Sequence, residues 1–126
     1  MKKYRVIIPQ AVHPVPERFE LSAASLLLEF FQADIQFLPV ASMSTPDIEV
    51  SGEKWEIKSP VGGSKYTIQR QFQRAAKQSH NVVIDARRIK IHIARVRREV
   101  AYQASLAKST KQVLLIEKTG KVVRIK

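Results

Sequence analysis

Hydrophobic positions recur along this chain with two periods, and these periods predict the kind and order of its elements. Apolar residues at helical spacing predict three helices, and short apolar or alternating runs predict strands. The expected order is strand, helix, three strands, helix, strand, helix and two strands, which is typical of a mixed α/β domain. The strands are predicted at residues 4–8, 35–38, 81–84, 113–117 and 122–125, and in a hairpin over 47–58. The first helix is predicted from about 17 to 32 and the second from about 64 onward. The third is predicted over a stretch that includes Ile89, Ile93, Val96 and Val100.

The predicted hairpin is the most regular of these segments. Its residues alternate at period two on both sides of a turn that contains Gly52. We expect one face of the hairpin to be buried in the core and the other to form a polar outer face. The first face carries Ile48, Val50, Trp55 and Ile57, and the second carries Asp47, Glu49, Glu56 and Lys58.

Length and composition favour one globular domain over residues 1–126. The chain has a mass of 14.3 kDa and is 44% hydrophobic, which suffices for one core. It contains no cysteine, which excludes disulfide scaffolds, zinc ribbons and thiol nucleophiles. No apolar run is long enough for a membrane span or a signal peptide. We therefore expect a soluble protein that is cytoplasmic as an isolated chain.

Charge adds a functional direction to this picture. The 22 basic and 11 acidic residues give a net charge of +11, as is common in proteins that bind nucleic acid or anionic membranes. Residues 1–52 carry four basic and six acidic side chains, whereas residues 53–126 carry 18 basic and five acidic ones. Acidic residues would repel a polyanion unless a cation lies among them, so the pattern favours a metal-dependent nuclease over a plain binding protein.

The hairpin offers a site for such a cation. Asp47 and Glu56 lie on neighbouring strands, and two carboxylates across a strand pair can hold Mg²⁺. Lys58 points to the same side as Glu56 and could orient an attacking water or stabilise charge on a phosphate. The alternative is that these side chains simply form the polar face of an amphipathic hairpin.

The run Pro46-Asp47, eight further residues and Glu56-Ile57-Lys58 resembles the PD-(D/E)XK nuclease motif. Over roughly residues 17 to 100 the chain is also similar to the tRNA nuclease domain at the C-terminus of CdiA toxins. The resemblance is weak over the first dozen and the last twenty residues. It is carried by Trp55-Glu56-Ile57-Lys58-Ser59-Pro60, Ser64-Lys65-Tyr66-Thr67-Ile68, Lys77-Gln78-Ser79 and Asn81-Val82-Val83-Ile84-Asp85-Ala86-Arg87-Arg88.

The resemblance implies a restriction-endonuclease-like fold, with a mixed central sheet flanked by helices, and a metal-dependent nuclease that cleaves RNA, with tRNA favoured. It implies that Asp47, Glu56 and the Ile57 carbonyl bind Mg²⁺, with Mn²⁺ or Zn²⁺ as alternatives, and that Lys58 is the catalytic lysine. Glu20 best fits the family's helix carboxylate, with Glu17 in reserve. A toxin domain also implies a cognate immunity protein and delivery into the cytoplasm of a target cell.

One departure from the family concerns the end of the first helix. A glycine is usual before the second strand, and this chain has Phe31-Gln32-Ala33-Asp34 there. The position of the helix end is therefore open.

Further candidates would bind the nucleic acid. Lys65 and Thr67 lie at a predicted helix start, where free N–H groups favour phosphate, although a capped helix start explains them equally well. For the two arginines after Asp85, the alternative to binding nucleic acid is that one of them pairs with Asp85. The candidates are Lys65, Thr67, Lys77, Gln78, Arg87, Arg88, Arg95, Arg97 and Arg98.

Two alternatives remain open at this stage. A DNA endonuclease could use the same site, and a non-catalytic nucleic-acid-binding protein would need only the basic residues. The histidines His13, His80 and His92 have no metal-ligand spacing, and we expect them to be structural or surface residues.

Overall fold

Seven strands lie side by side in one sheet, and they follow one another in the sheet as they do in the chain. The computed structural model describes residues 3–12, 15–41 and 45–126. The strands β1 and β2 pair in parallel, as do β4, β5 and β6, and the other neighbours are antiparallel. The strands are β1 Val6–Ile7, β2 Ile35–Phe37, β3 Ile48–Val50, β4 Glu53–Lys58, β5 Asn81–Asp85, β6 Gln112–Ile116 and β7 Val122–Arg124.

Helices cover both faces of this sheet. The first face packs on helix α1, Arg18–Phe31, and the second packs on α2, Thr67–Gln78, and α3, Ile93–Leu106. Residues of β5 are buried throughout because both of its faces are covered, so the prediction of a central strand is confirmed. Within the ranges that the structure describes, none of the helices is both long and apolar enough to cross a membrane.

The parallel strands β4, β5 and β6 end together at one edge of the sheet. We call this the carboxyl edge, and it is marked by Lys58, Asp85 and Ile116. Helix α2 connects β4 to β5, and α3 connects β5 to β6, so both helices begin at the carboxyl edge. Side chains that follow β4 and β5 in sequence are therefore brought to the same edge as the first turns of α2 and α3.

The β3–β4 hairpin has the predicted register but not the predicted outer face. Ser51 and Gly52 form its turn with φ of 50° and 83°, the left-handed values that a two-residue hairpin turn requires. Trp55 is buried and its ring lies 5.1 Å from that of Phe31, so the first face is in the core as expected. The expected exposure of the second face is wrong at Glu56, which is buried because α2 packs over that face.

Two helix boundaries differ in informative ways from the sequence pattern. The end of α1, which the sequence left open, is at Phe31, and Gln32 adopts the left-handed cap conformation with φ of 54°, where a glycine is usual. The side chain of Gln32 donates to the carbonyl of Glu29 over 2.7 Å, which secures this end. Helix α3 begins at Ile93 rather than near Ile89, which is buried in the turn after β5.

Two predictions fall partly beyond the described ranges. Residues 42–44 of the expected loop before the hairpin, and His13, lie outside them.

Candidate active site

The β3–β4 hairpin brings two carboxyl groups together. Ile48 lies opposite Trp55 in the strand register, so Asp47 comes opposite Glu56. The main-chain N–H of Asp47 donates to the carbonyl of Trp55 over 3.1 Å. The Asp47 carboxylate accepts the N–H of Ile57 over 2.8 Å, which holds this side chain against β4. The two carboxylates of the predicted metal site are therefore neighbours.

Glu56 is a buried carboxyl group with one bound and one bare oxygen. Its exposed fraction is 2%, and Lys58 Nζ lies 3.0 Å from Oε2. Across residues 3–12, 15–41 and 45–126, no hydrogen-bond donor reaches Oε1. A buried acceptor without a donor is unfavourable, so Glu56 either takes a proton or stays ionised with a cation beside this oxygen.

The pKa values of Glu56 and Asp47 also indicate that these two carboxyl groups need a proton or a cation. Burial raises the pKa of Glu56 to about 8, and the charge of Asp47 adds to the rise while Lys58 opposes it. Burial also raises the pKa of Asp47, against the hydrogen bond from Ile57 and the charge of Lys58. Since two adjacent carboxylates repel each other, the pair holds a proton in the absence of another positive charge.

The residues present fit a hard divalent cation that keeps part of its water. Within the described ranges, no three His, Cys, Asp or Glu side chains converge closely enough to hold a metal ion. Two carboxylates with a bare buried oxygen suit Mg²⁺, which is commonly held by one or two carboxylates and several waters. Zinc sites instead use three or four protein ligands, mainly nitrogen and sulfur, so this set fits Mg²⁺ or Mn²⁺ better than Zn²⁺.

Glu20 lies close enough to this pair to respond to its charge. Its Oε1 accepts the main-chain N–H of Glu17 over 3.0 Å at the start of α1. Burial raises the pKa of Glu20, the Glu17 hydrogen bond lowers it, and the charge of Asp47 raises it. The structure thus brings Glu20 together with Asp47, whereas the reserve candidate Glu17 is exposed at the helix cap.

Ile57 contributes through its main chain. Its side chain packs in the core between the sheet and α1, while its N–H binds Asp47. The role of its carbonyl as a metal ligand stays a prediction.

Arg87 ties the turn after β5 to helix α1. Its guanidinium donates to Asp85 over 2.9 and 2.8 Å, to Ser22 Oγ over 2.6 Å and to the Phe19 carbonyl over 3.3 Å. The hydrogen bonds to Asp85 raise the pKa of Arg87. The alternative prediction, that Asp85 pairs with a neighbouring arginine, is therefore confirmed. These contacts, which we call the Arg87 clamp (Phe19, Ser22, Asp85 and Arg87), fix the turn of α1 that carries Glu20.

Arg88 lies beside the clamp. Its Cζ is 4.0 Å from the centre of the Phe19 ring, and its Nη2 donates to the Ser59 carbonyl over 3.0 Å. The side chain remains exposed, so it can also meet a phosphate at the surface.

The start of α2 is a closed turn with exposed neighbours. Thr67 is buried, and its Oγ1 accepts the N–H of Ser64 over 3.1 Å and lies 2.9 Å from Ser64 Oγ. The hydroxyl of Thr67 therefore serves the turn. Lys65 and Tyr66 are exposed beside it, with the Lys65 Nζ 5.6 Å from the centre of the Tyr66 ring.

The other end of α2 lies away from the carboxyl edge. Lys77 is exposed there, and Gln78 is half-buried. Gln78 lines a cavity of about 330 Å³ together with Pro46 and Lys54, and neither Asp47 nor Glu56 lines that cavity.

Three predicted arginines lie in the first turns of α3. Arg95 and Arg98 are exposed. Arg97 donates from Nε to Glu117 at 2.5 Å, and this hydrogen bond raises the pKa of Arg97 and lowers that of Glu117. Arg97 is therefore anchored to the end of β6, while the other two extend from the helix surface.

Sequence reasoning missed the partners of these residues. Phe19 and Ser22 were not singled out, because their contact with Arg87 joins positions more than sixty residues apart. Tyr66 was named only as part of Ser64-Lys65-Tyr66-Thr67-Ile68, a run that resembles the family. Its place between a lysine and a predicted helix start could have singled it out as a candidate for stacking on a base.

Comparison with known proteins extends this description. The family model of the contact-dependent growth inhibition CdiA C-terminal domain matches residues 44–122, which include Asp47, Glu56 and Lys58. The fold is similar to that of a chain in the CdiA-CT/CdiI toxin and immunity complex from Burkholderia pseudomallei, at a TM-score of 0.63 and 16% identity over 97% of this chain and 98% of that chain. Comparison with curated protein sequences gives no significant match. Because the family match spans more than half of the residues, this chain belongs to the CdiA C-terminal domain family of contact-dependent growth inhibition toxins.

Proposed function

We propose that this chain is a nuclease toxin domain that hydrolyses phosphodiester bonds in RNA, with tRNA as the favoured substrate and Mg²⁺ or Mn²⁺ as the cofactor. The observation that carries the proposal is the pairing of the half-buried Asp47 with the buried Glu56, whose Oε1 has no donor among the described residues. Lys58 Nζ lies 3.0 Å from the same carboxyl group. A protein that only binds nucleic acid needs no such buried arrangement.

Asp47 and Glu56 hold the cation through carboxylate oxygens, and the Ile57 carbonyl is a further candidate ligand. When bound, a divalent cation makes water more acidic and offsets negative charge on the phosphate. Asp47 is oriented for this role by the N–H of Ile57. Glu56 contributes the oxygen that has no donor within the described ranges.

Lys58 acts at the boundary between the buried Glu56 and solvent. Its side chain is 22% exposed while its ammonium group stays within hydrogen-bond distance of Glu56. It can therefore donate to a phosphate oxygen and stabilise charge as the bond from phosphorus to the leaving oxygen breaks. Glu20 accepts a proton or orients water beside the pair, since burial and the charge of Asp47 raise its pKa.

The basic residues hold the strand. Arg88, Arg95 and Arg98 are exposed around the carboxyl edge and contact the phosphate backbone. Arg87 has a positioning role instead, since its guanidinium is bound within the clamp.

Family membership supports the biological part of the proposal. The chain acts as a toxin delivered into a target cell, and a cognate immunity protein neutralises it. The related chain from Burkholderia pseudomallei is described in complex with an immunity protein. Charge complementarity suggests an acidic surface on the partner, because residues 53–126 carry 18 basic and five acidic side chains.

A cleavage assay with two substrates tests the proposal. Purified chain is incubated with total RNA and with plasmid DNA, in Mg²⁺ or in EDTA, next to Asp47→Asn, Lys58→Met and the control Glu53→Gln. Glu53 is the matched control because it is exposed at the start of the same strand. We expect Mg²⁺-dependent loss of RNA, a rate lower by about 100-fold or more in the two site variants, and an unchanged rate in the control.

Each of the other possible outcomes would contradict one part of the proposal. Cleavage of plasmid alone would make the chain a DNA endonuclease. Cleavage that persists in EDTA would overturn the metal site. Binding of nucleic acid without cleavage of either substrate would leave a non-catalytic binding protein.

A further inference from the structure

Tyr66 is an exposed aromatic residue at the carboxyl edge, and nothing in the proposed chemistry uses it. Its exposed fraction is 53%, although it immediately precedes the buried start of α2. The loop of residues 59–66 joins Lys58 to this helix, so Tyr66 lies at the edge where β4 ends.

Tyr66 and the acid–lysine site lie over the same face of the sheet. In the parallel pair of β4 and β5, Glu56 lies beside Val82 and Lys58 beside Ile84, so these residues share a face. Val82 and Ile84 pack against the buried side of α2. The helix that Tyr66 precedes therefore covers the face that carries Glu56 and Lys58.

The backbone around Tyr66 is held in place by several contacts. The Lys90 N–H donates to the Gly62 carbonyl over 3.2 Å, and Ser64 forms the closed turn with Thr67. A Cβ on Gly63 would come 2.9 Å from the Lys90 carbonyl, so only glycine allows this close approach of the two segments. The ring of Tyr66 is thus presented to solvent from a fixed loop.

Cationic residues lie next to this ring in the sequence and on the facing segment. Lys65 Nζ lies over the ring, 5.6 Å from its centre, and Arg70 donates to Ser64 Oγ over 3.3 Å one turn into α2. Lys90 is exposed on the facing segment. A fixed aromatic face among cations is the arrangement by which proteins stack unpaired bases while binding the phosphates that connect them.

We infer that Tyr66 stacks on an unpaired nucleobase of the substrate strand, and that the preferred substrate therefore carries unpaired nucleotides at the cleavage region. This inference rests on the proposed function. A base inside a duplex has both faces covered by its neighbours, so it cannot use this platform without being extruded. Lys65 and Arg70 bind the phosphates on either side of the stacked base.

A binding experiment without cleavage tests the inference. The chain of residues 1–126 in EDTA is titrated with a 12-nucleotide single strand that carries 2-aminopurine, as RNA and as DNA, and with the same strand in a duplex. The proteins are wild type, Tyr66→Leu, Tyr66→Phe and the control Tyr102→Leu. Tyr102 is a matched control because it is 57% exposed but lies near the end of α3, away from the carboxyl edge.

We expect Tyr66→Leu to lose about ten-fold in affinity for the single strand and less than about two-fold for the duplex. Tyr66→Phe keeps wild-type affinity because it keeps the ring. Stacking quenches 2-aminopurine fluorescence in the wild type and in Tyr66→Phe, and this quenching is lost in Tyr66→Leu. Tyr102→Leu behaves as the wild type.

Several results would overturn the inference. They are an unchanged single-strand affinity of Tyr66→Leu, an equal loss for the two forms of nucleic acid, or an equal loss in Tyr102→Leu. Circular dichroism of each variant identifies misfolding. If Tyr66→Leu misfolds, the test rests on Tyr66→Phe. A Tyr66→Phe protein that does not quench 2-aminopurine fluorescence also overturns the inference. This experiment measures binding and not cleavage, so its outcome is independent of the nuclease assay. Base stacking can be found where cleavage is absent, and cleavage can be found where base stacking is absent.

Discussion

Raising the pH should destabilise the metal-free protein through one side chain, Glu56. The folded-state pKa of this group is about 8, whereas its ordinary value is 4.5. Between these two values the folded state keeps a proton that the unfolded state has released. Stability from this group is therefore fully present below pH 4.5, falls as the pH rises, and levels off above pH 8.

The size of the effect follows from the two pKa values. One pKa unit corresponds to about 1.4 kcal/mol, and between pH 5 and pH 7 the group loses nearly the full two units. The free energy of unfolding should therefore fall by roughly 2.5 kcal/mol over this range, a large part of the stability of a small domain. For a chain of this length the midpoint temperature should fall by about 10 °C.

Urea titrations in EDTA at pH 5, 6, 7 and 8 measure this dependence. The Glu56→Gln variant cannot ionise at this position, so the difference between it and the wild type reports the titration of the interacting Asp47–Glu56 pair. We expect Glu56→Gln to overtake the wild type in stability as the pH rises, and the control Glu53→Gln to follow the wild type. Parallel pH profiles for the wild type and Glu56→Gln would refute the assignment of a buried proton to this carboxyl group.

Further expectations concern the metal, the core, the clamp and α3. Mg²⁺ should raise the midpoint temperature more at pH 8 than at pH 5.5, because the cation competes with protons for the carboxylates; equal shifts in a thermal melt would contradict this. Trp55→Ala should cost roughly 3–5 kcal/mol in a urea titration, and a wild-type melting temperature would mean that this ring is not in the core. Arg87→Met should cost roughly 3 kcal/mol because it leaves Asp85 buried without its partner, and addition of Asp85→Asn should recover part of the loss; unchanged stability would assign Arg87 to substrate alone. Substitution of Arg95 and Arg98 by Gln should flatten the dependence of log affinity on log salt by roughly 0.7–0.9 per lost phosphate contact, and an unchanged slope would remove α3 from the substrate path.

The order of elements could be predicted because its signals are local. Period-two alternation and helical spacing are properties of short segments, and the hairpin register followed from its turn. The start of α3 was wrong because Ile89 continues the apolar spacing of the helix while it occupies a turn, where its N–H donates to the Ala86 carbonyl. Apolar spacing alone does not distinguish a buried residue in a helix from a buried residue in a turn.

The candidate site was predictable in part for the same reason. The juxtaposition of Asp47 and Glu56 follows from a register that the turn sets. The burial of Glu56 depends on α2, which covers the strand from the other side, so its raised pKa is not visible in a local pattern. The hydrogen bond between Arg87 and Ser22 likewise depends on the packing of α1 against the turn after β5.

The sequential order of the sheet has a consequence for how the molecule forms. Each strand pairs with the strand that precedes it in the chain, so no strand has to insert between two that are already joined. The sheet can therefore be assembled in chain order by adding each strand at an exposed edge, without reopening a pair of strands that is already joined. The two carboxyl groups of the site lie on the β3–β4 hairpin, whereas the helix that covers Glu56 follows it in the chain, so their pairing and the burial of Glu56 depend on different segments.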